Sequence, residues 1–295
     1  MAPPSKPIRT IGLFGKYGSK EVSGVIRRLC AFLRGRGLAV LLEEVTAEFM
    51  DQACAESRPP AALGQEIDLA LVVGGDGTML HVARELAPLG VPLIGVNLGR
   101  LGFLTDISTD HMEDELARIL DGDFKTEERI LLEAEVVRSG KVLNRANAFN
   151  DVVVNKGALA RLIEFETWVE GEFVNSTRAD GIIVATPTGS TAYALSAGGP
   201  ILHPTLPALV IVPICPHTLS DRPLAIGSDS QIEIVMISTS QQSAHVTFDG
   251  QTNFAVLDGD RVRVRRAARA ATLIHPTRRN HYEVLRGKLG WGEKY

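Results

Sequence analysis

The sequence predicts an α/β N-terminal domain with a mostly parallel sheet, followed by a mainly antiparallel, sandwich-like all-β C-terminal domain. Up to residue 122, apolar runs of strand length alternate with helical periodicity, as in helix-covered parallel sheets. Beyond it, short apolar runs separated by turn signals follow one another with few helices. The chain of 295 residues is also longer than one simple core usually needs. We therefore expect domains at 1–122 and 123–271, while the tail, 272–295, can add a strand to either domain, including the first.

The composition excludes several classes of protein. The formal net charge of −4 argues against a general nucleic-acid binder, and the basic run Arg261–Arg266 alternates with valine, as on the solvated face of a strand. No apolar run approaches membrane-spanning length, and residues 1–6 lack a signal-peptide core. Cys30, Cys54 and Cys215 lack metal-ligand spacing and are odd in number, which indicates a reducing compartment and no disulfide. We expect a cytoplasmic protein that binds neither nucleic acid nor membrane.

The first domain has the strand–helix alternation of a Rossmann-like sheet. The predicted strands are Ile8–Phe14, Leu38–Leu42, Ile67–Val73 and Pro92–Val96, and the predicted helices are Val22–Gly35, Met79–Leu86 and His111–Leu120. Residues 46–65 have weak periodicity and are a variable connection. Ligands of such sheets bind beyond the carboxyl ends of the strands. The candidate ligand loops are therefore Gly15–Ser19, Gly74–Thr78 and Asn97–Phe103.

The second of these loops brings glycines and one carboxylate to the start of a helix. Gly74, Gly75 and Gly77 let the backbone approach a ligand that a side chain would push away, and the helix start offers N–H groups to an anion. Asp76 stands where many phosphate loops carry a lysine. Such a carboxylate either binds Mg²⁺ or accepts a proton from an attacking hydroxyl. The alternative is a tight turn in which Asp76 caps the helix.

Two further stretches offer contacts to a flat, polar ligand. Phe103 can present a ring face to a base, although core packing is the alternative. Asn150 and Asp151 lie inside an apolar strand, where an unpaired amide and carboxylate would lose their hydration. Asparagine supplies a donor and an acceptor, and aspartate supplies acceptors, so this pair can bind a base edge and a sugar hydroxyl. A turn at the strand edge is the alternative reading.

The second domain carries most of the predicted strands. They are Ile130–Val137, Ala146–Val154, Leu162–Val169, Ile182–Ala185, Leu209–Ile214, Ile232–Ile237, Ala244–Phe248 and Val262–Val264. The densest polar stretch of the chain, residues 178–200, crosses one of them. Asp180 opens that strand and suits two vicinal ribose hydroxyls, because both can donate to one carboxylate. A helix of small residues is predicted after it, and Thr188, Ser190 and Thr191 can each cap that helix or bind a ligand.

In this order, the motifs resemble the NAD kinase family of the bacterial, Gram-negative type. The resemblance extends from Ile8 to about Phe254 and rests on Gly74–Thr78, Asn97–Leu104, Asn150–Asp151, Asp180–Pro200 and Pro216–Leu224. The first motif alone is shared with lipid kinases and phosphofructokinases, whereas the segment from Asp180 is specific. One departure is Asp151, since the family pair is usually Asn-Glu; the shorter side chain reaches less far by about one C–C bond.

The resemblance implies transfer of the γ-phosphoryl group of MgATP to the 2′-hydroxyl on the adenosine ribose of NAD, which gives NADP. It implies that Asp76 is the catalytic carboxylate, while the backbone at Gly75, Gly77 and Thr78 and the Mg²⁺ ion screen the triphosphate. No protein ligand is assigned to Mg²⁺, which often rests on phosphates and water. The residues implied to bind the dinucleotide are Phe103, Asn150, Asp151, Asp180, Thr191, Tyr193 and Ser196, with Thr188 as a further candidate. Arg178 stands where a basic residue is associated with a preference for NAD over NADH.

The resemblance also implies a homo-oligomer, either a dimer or a tetramer. Two alternative functions stay open at this point. A lipid kinase of the diacylglycerol type would share the glycine loop, but it would need no ribose-binding carboxylate such as Asp180. A non-catalytic dinucleotide sensor would keep the binding residues, but it would not need Asp76.

Overall fold

The computed structural model describes residues 7–16, 18, 20–50, 54–99, 102–157, 161–239 and 244–291. The N-terminal residues 1–6, Tyr17 and Ser19 of the first candidate loop, and Arg100 and Leu101 of the third lie outside these ranges. The chain divides into two compact units, a first unit of residues 1–128 and 271–295 and a second unit of residues 129–270. Among the described residues, no helix has both the length and the apolar character needed to cross a bilayer.

The N-terminal segment alternates strands with helices, as the periodicity predicts. Its strands are β1 (Thr10–Gly15), β2 (Ala39–Glu43), β3 (Glu56–Arg58), β4 (Leu69–Val73), β5 (Leu93–Asn97), β6 (Ile107–Ser108) and β7 (Phe124–Arg129). Its helices are α1 (Lys20–Gly35), α2 (Glu44–Glu48), α3 (Pro60–Glu66), α4 (Asp76–Leu86) and α5 (Met112–Leu120). The stretch 46–65, predicted as a variable connection, thus contains β3 and α3, which are too short to give a clear period.

The second unit is built from antiparallel strands. They are β8 (Leu132–Arg138), β9 (Lys141–Ala148), β10 (Asp151–Asn155), β11 (Ile163–Val169), β12 (Glu172–Ala179), β13 (Gly181–Ala185), β14 (Ala208–Ile214), β15 (Leu224–Gly227), β16 (Ile232–Ser238), β17 (Ala244–Phe248), β18 (Thr252–Val256) and β19 (Arg261–Arg266). One sheet has the order β12-β11-β16-β19-β8-β9, and the other has the order β15-β14-β13-β10-β17-β18. Inward side chains of both sheets form one apolar core, in which Phe165 and Phe248 are buried. The short helix α6 (Tyr193–Ser196) follows β13.

The single strand predicted over Ala146–Val154 is wrong. The chain leaves β9 at Ala148 and enters β10 at Asp151, and these two strands belong to different sheets. The break falls at Phe149-Asn150, whose backbone N–H groups donate to the carboxylate of Asp249 and not to a neighbouring strand. The polar pair Asn150-Asp151 marks the crossing in the sequence, but buried apolar residues on both sides of it, Phe149 and Val152, make the stretch resemble a single strand.

The tail of the chain returns to the first unit. Its elements are β20 (Ala271–Pro276) and α7 (His281–Leu289). The sheet of this unit has the order β3-β2-β1-β4-β5-β20-β7, with β6 beside β5. The pairs from β3 to β5, the β5–β6 pair and the β5–β20 pair are parallel, and Leu273 lies opposite Leu93. The predicted fold class, a parallel α/β part followed by antiparallel sheets, is confirmed.

The cysteines differ from the expectation. Cys30 on α1 and Cys54 form a disulfide, with their Cα atoms 6.4 Å apart, so the prediction of no disulfide is wrong. The two residues are 24 positions apart, and only the return of the chain from β2 brings them together. Cys215 is free and exposed.

Candidate functional site

The glycine loop lies in the first unit, between the end of β4 and the start of α4. A Cβ atom on Gly74 would lie 2.5 Å from Oγ1 of Thr78, so this turn closes only around a glycine. Gly75 is the N-terminal cap residue of α4 in extended conformation, and no side chain caps the helix. No described atom lies within 4 Å of a Cβ built on Gly75. The first turn of α4, which contains Gly77 and Thr78, therefore starts beside open space, as an anion-binding helix end requires.

Asp76 is the first residue of α4 and not its cap, so the alternative in which it caps the helix is wrong. Its half-buried carboxylate accepts hydrogen bonds from the neighbouring candidate loop. Oδ2 accepts from the backbone N–H of Phe103, and Oδ1 accepts from that of Leu104, each at 2.9 Å. A Cβ on Gly102 would lie 2.2 Å from Oδ1, which explains the glycine at that position. The backbone of one loop thus fixes the carboxylate of the other.

The third candidate loop is braced from within. The amide Nδ2 of Asn97 donates to Oγ1 of Thr105 at 2.7 Å, and its Oδ1 accepts from the N–H of Gly99 at 2.7 Å. Asn97 is buried, so its amide serves the loop. Phe103 is half-buried, and its backbone forms hydrogen bonds on two sides. Its N–H donates to Asp76, and its carbonyl accepts from Arg279.

In the second unit, Asp249 organises the backbone around Asn150 and Asp151. Its carboxylate accepts from the N–H groups of Phe149 at 3.0 Å, Asn150 at 2.7 Å and Asp151 at 3.2 Å. Asp249 itself has a left-handed φ of 52° in the β17–β18 turn. No local pattern in the sequence indicates this role, because Asp249-Gly250 has the composition of an ordinary turn between two strands.

Asp151 is buried, with 4% of its surface exposed. Burial, together with the smaller effect of the negative charge on the neighbouring Asp249, raises the pKa of its carboxyl group to about 7. Its pKa therefore lies close to neutral pH, in contrast to an ordinary surface aspartate.

The hydroxyl-rich loop after β13 packs directly on Asn150. Thr186 donates from Oγ1 to the carbonyl of Phe149 at 2.7 Å, and its N–H donates to the carbonyl of Asn150 at 2.9 Å. A Cβ on Gly189 would lie 2.1 Å from that same Asn150 oxygen. The structure thus brings together two of the stretches that the sequence separates by more than thirty residues.

The hydroxyls of this loop have distinct roles. Ser190 is fully buried and binds the carbonyl of Pro187 at 2.6 Å, so it serves the fold. Oγ1 of Thr188 accepts from the buried Arg129 at 3.0 Å, and Thr191 donates to the carbonyl of Thr188 at 3.1 Å.

The helix predicted after this loop is only a 3-10 turn followed by the four-residue α6. The prediction of a regular helix is wrong because two glycines and a proline, Gly198-Gly199-Pro200, follow it at once. Tyr193 and Ser196 on α6 are exposed, and 45% of the tyrosine surface is accessible.

Asp180 lies between β12 and β13 and is half-buried. Its Oδ1 lies 2.5 Å from Nζ of Lys156, a partner that the sequence analysis missed. The Lys156 N–H also donates to the Asp180 carbonyl at 2.9 Å. Arg178, two residues before, is largely exposed and lies 3.9 Å from Glu164. Asp180 thus lies at the start of β13, whereas Asn150, Asp151 and the hydroxyl-rich loop lie at the far end of that strand, so the structure does not bring Asp180 into contact with them.

Comparison with known families decides between the open alternatives. Residues 11–124 match the model of the ATP-NAD kinase N-terminal domain, and residues 149–276 match that of the ATP-NAD kinase C-terminal domain. The chain belongs to the ATP-NAD kinase family. Both the glycine loop and the hydroxyl-rich loop lie inside the matched regions. The match therefore supports neither the lipid kinase nor the non-catalytic sensor.

Similar proteins support the same family. The chain is 53% identical to an NAD kinase of Thiobacillus denitrificans over 98% of its own length and 99% of that protein. It is 49% identical to an NAD kinase of Pseudomonas fluorescens, with 97% of each chain covered.

Solved structures of this ATP-NAD kinase family agree in fold. Yeast NADH kinase in complex with NADH is 25% identical with a TM-score of 0.89, covering 100% of this chain and 94% of its own. An NAD kinase from Archaeoglobus fulgidus in complex with ATP is 26% identical with a TM-score of 0.75, covering 95% and 98%.

Proposed function

We propose that this chain is an NAD kinase, which transfers the γ-phosphoryl group of MgATP to the 2′-hydroxyl on the adenosine ribose of NAD. The observation that carries the proposal is the family match over both parts of the chain, with an acidic glycine loop in the first. The relatives complexed with ATP and with NADH support these two substrates.

Asp76 acts as the catalytic carboxylate. It orients the 2′-hydroxyl and accepts its proton, while the bond from the 2′-oxygen to the γ-phosphorus forms and the bond to the departing ADP oxygen breaks. Two backbone N–H groups hold this carboxylate, so its orientation is set before the substrate binds. Each oxygen keeps a further lone pair for the hydroxyl. Mg²⁺ arrives on ATP as part of the substrate, and the backbone of the loop at Gly75, Gly77 and Thr78, at the start of α4, screens the charge of the triphosphate.

Aromatic, carboxylate, amide and hydroxyl side chains bind the dinucleotide in this proposal. Phe103 offers a ring face, and Asp180 accepts from ribose hydroxyls. Asn150, Asp151, Thr188, Thr191, Tyr193 and Ser196 supply the remaining contacts, and Arg178 contributes to the preference between oxidised and reduced dinucleotide.

Direct assay tests the function. The protein is incubated with ATP, Mg²⁺ and NAD, and NADP is measured with an NADP-specific dehydrogenase. We expect NADP, and we expect D76N to keep dinucleotide binding while its kcat falls by about 10³-fold or more, because an amide cannot accept the proton. A wild-type protein that makes no NADP would contradict the proposed function.

A matched control is D68N. Asp68 is also a carboxylate of the first unit that accepts two backbone N–H groups, those of Arg9 and Thr10, each at 2.9 Å. D68N therefore affects a similar number of hydrogen bonds as D76N, but Asp68 is not part of the glycine loop. We expect kcat of D68N to stay within about 3-fold of the wild type.

The expected assembly is a homo-oligomer, a dimer or tetramer. Exposed apolar side chains on β9 and β12 support it, among them Val142, Leu143 and Phe173. Sedimentation velocity measures the number of subunits.

The basic residues of β19 lie on a solvated strand face, as the sequence predicts. Arg261, Arg263 and Arg265 are exposed and pair with Glu233 and Glu133. The cytoplasmic location stays a prediction.

A further inference from the structure

A guanidinium group lies behind the loop that holds Asp76. Nη2 of Arg279 donates to the carbonyl oxygen of Phe103 at 2.7 Å. That carbonyl and the N–H of Leu104 belong to the same planar peptide group. The same N–H donates to Oδ1 of Asp76 at 2.9 Å. Arg279 and Asp76 therefore bind the two opposite ends of one peptide.

The Arg279 side chain is itself fixed, since only 5% of it is exposed. Its Nε donates to Oδ1 of Asp106 at 2.7 Å, and its Nη1 donates to Oε2 of Glu127 at 3.1 Å. The other oxygen of Asp106 binds Nδ1 of His275, which is buried in β20. The guanidinium thus has three partners in a fixed fork, a geometry that a lysine cannot reproduce.

The charges of this cluster are consistent with a rigid support. Burial works to raise the pKa of Asp106, but its hydrogen bond with His275 and the charges of His275 and Arg279 bring the pKa below its ordinary value. Asp106 therefore remains an ionised partner of Arg279 in the folded protein. Because the cluster combines residues 106, 127, 275 and 279, it ties the tail of the chain to the loop after β5.

We propose that Arg279 is a positioning residue for the phosphoryl transfer, which clamps the Phe103–Leu104 peptide and thereby fixes the orientation of the Asp76 carboxylate. The inference rests on the proposed function of Asp76. The positive charge on the carbonyl side also polarises the peptide, which strengthens the hydrogen bond of its N–H to Asp76. Small displacements of a catalytic group reduce turnover much more than they reduce substrate binding.

The test compares R279M with R278M. Arg278 is the preceding residue and forms an ion pair with Glu115 on α5, so its replacement removes the same charge and one carboxylate partner. We expect R279M to lower kcat about 10- to 100-fold while KM for NAD and for ATP changes by less than about 3-fold. We expect R278M to keep kcat within about 2-fold. A kcat of R279M equal to that of R278M would overturn the proposal, as would an effect on KM alone.

R279K provides a milder change if R279M does not fold, with thermal unfolding measured for every variant. The ammonium group keeps the charge but cannot serve Phe103, Asp106 and Glu127 together, so we expect kcat to fall at least about 5-fold at unchanged KM. A kcat of R279K within about 2-fold of the wild type would refute the clamp.

The D76N background separates this inference from the proposed function. If Arg279 acts through Asp76, then R279M lowers kcat in the wild-type background but causes little further loss in D76N, because residues that act as one unit are not additive. Full additivity in the double variant would contradict the inference. If the wild type makes NADP and D76N does not, but R279M turns over normally, only the role of Arg279 fails. If the wild type makes no NADP, the proposed function fails first.

Discussion

Asp76 in the first unit and Asp249 in the second unit use the same contact for opposite purposes. Each carboxylate accepts backbone N–H groups from another segment, two at Asp76 and three at Asp249. At Asp76 the donating loop is held from behind by Arg279, so the backbone orients the side chain. At Asp249 the donors are the irregular residues between β9 and β10, so the side chain orients the backbone. At each site, the group that is anchored more firmly sets the position of the other. The firmly held group is the donating loop at Asp76 and the carboxylate itself at Asp249.

The difference also separates the electrostatics of the two regions. The hydrogen bonds described for Asp76 all come from backbone N–H groups, those of Phe103 and Leu104. Asp249 lies beside the buried Asp151, and its charge adds to burial in raising the pKa of that group. The first arrangement suits a reactive carboxylate. The second places a group with a pKa of about 7 next to Asn150, one of the residues proposed to bind the dinucleotide.

D151N tests the second half of this comparison and has the largest expected effect on stability. The pKa of Asp151 is about 7 in the folded protein, against an ordinary value of 3.8. Below pH 3.8 the group is protonated whether folded or unfolded. As pH rises to 7, the unfolded chain releases the proton first, so the stability of the wild type falls over this window. D151N has no proton to lose, so its free energy of unfolding should gain on the wild type by at most about 4 kcal/mol.

Urea unfolding of both proteins between pH 4 and pH 8 measures this gain. D229N serves as the control, because the Asp229 side chain is 89% exposed and pairs with Arg266 at the surface. Its unfolding curve should follow that of the wild type at every pH. Parallel pH profiles for D151N and the wild type would show that Asp151 does not titrate as the buried pair requires.

Substitutions of two close-packed glycines test the same difference between Asp76 and Asp249, with a smaller expected effect on stability. A Cβ on Gly102 would meet Asp76, and a Cβ on Gly189 would meet the Asn150 carbonyl. We expect G102A to lower kcat about 10- to 100-fold by displacing the carboxylate, and G189A to raise KM for NAD and reduce stability by about 1–3 kcal/mol. Steady-state kinetics and thermal unfolding measure the two effects.

G24A is the control for these glycine variants. Gly24 is exposed on α1, away from the candidate loops, and no described atom lies within 4 Å of a Cβ built on it, so the added methyl group meets no obstacle among the described residues. Its kinetics should match those of the wild type. An equal loss of kcat in G102A and G189A would remove the distinction between a positioned side chain and a positioned backbone.

The smallest effect is expected for R178M. Arg178 is 68% exposed in its side chain, and its nearest carboxylate, that of Glu164, lies at 3.9 Å. Stability should change by less than about 0.5 kcal/mol. If the basic residue favours oxidised dinucleotide, the ratio of kcat/KM for NAD to that for NADH should fall in R178M. An unchanged ratio would remove Arg178 from the proposed site.

Local patterns were enough for much of the fold. The predicted strand Ala244–Phe248 coincides with β17, and the predicted strand Ile67–Val73 overlaps β4. Apolar runs bounded by turn residues specify such strands directly. β12, with the sequence EFVNSTRA, was missed, because the first half of this edge strand is largely exposed and its buried residues, Thr177 and Ala179, do not form an apolar alternation.

Long-range contacts could not be predicted in this way. Phe103 and Arg279 are 176 positions apart, and Phe149 and Asp249 are 100 positions apart. Neither pair has a spacing that a helix or hairpin would impose, and the Cys30–Cys54 disulfide likewise depends on how the chain returns. The sequence therefore indicated Asp76 as the candidate catalytic carboxylate, whereas the groups that hold it in place required the structure.

The parallel pairing of β20 with β5 has a consequence for biosynthesis. Translation produces the segment that contains β5 well before residue 271, where β20 begins, and the whole antiparallel unit emerges in between. If domains fold in the order in which they emerge, this middle unit folds while the earlier sheet still lacks β20 beside β5. On the ribosome, the α/β unit is therefore completed only when the last tenth of the chain is synthesised. Asp76 gains the support of Arg279 only at that point.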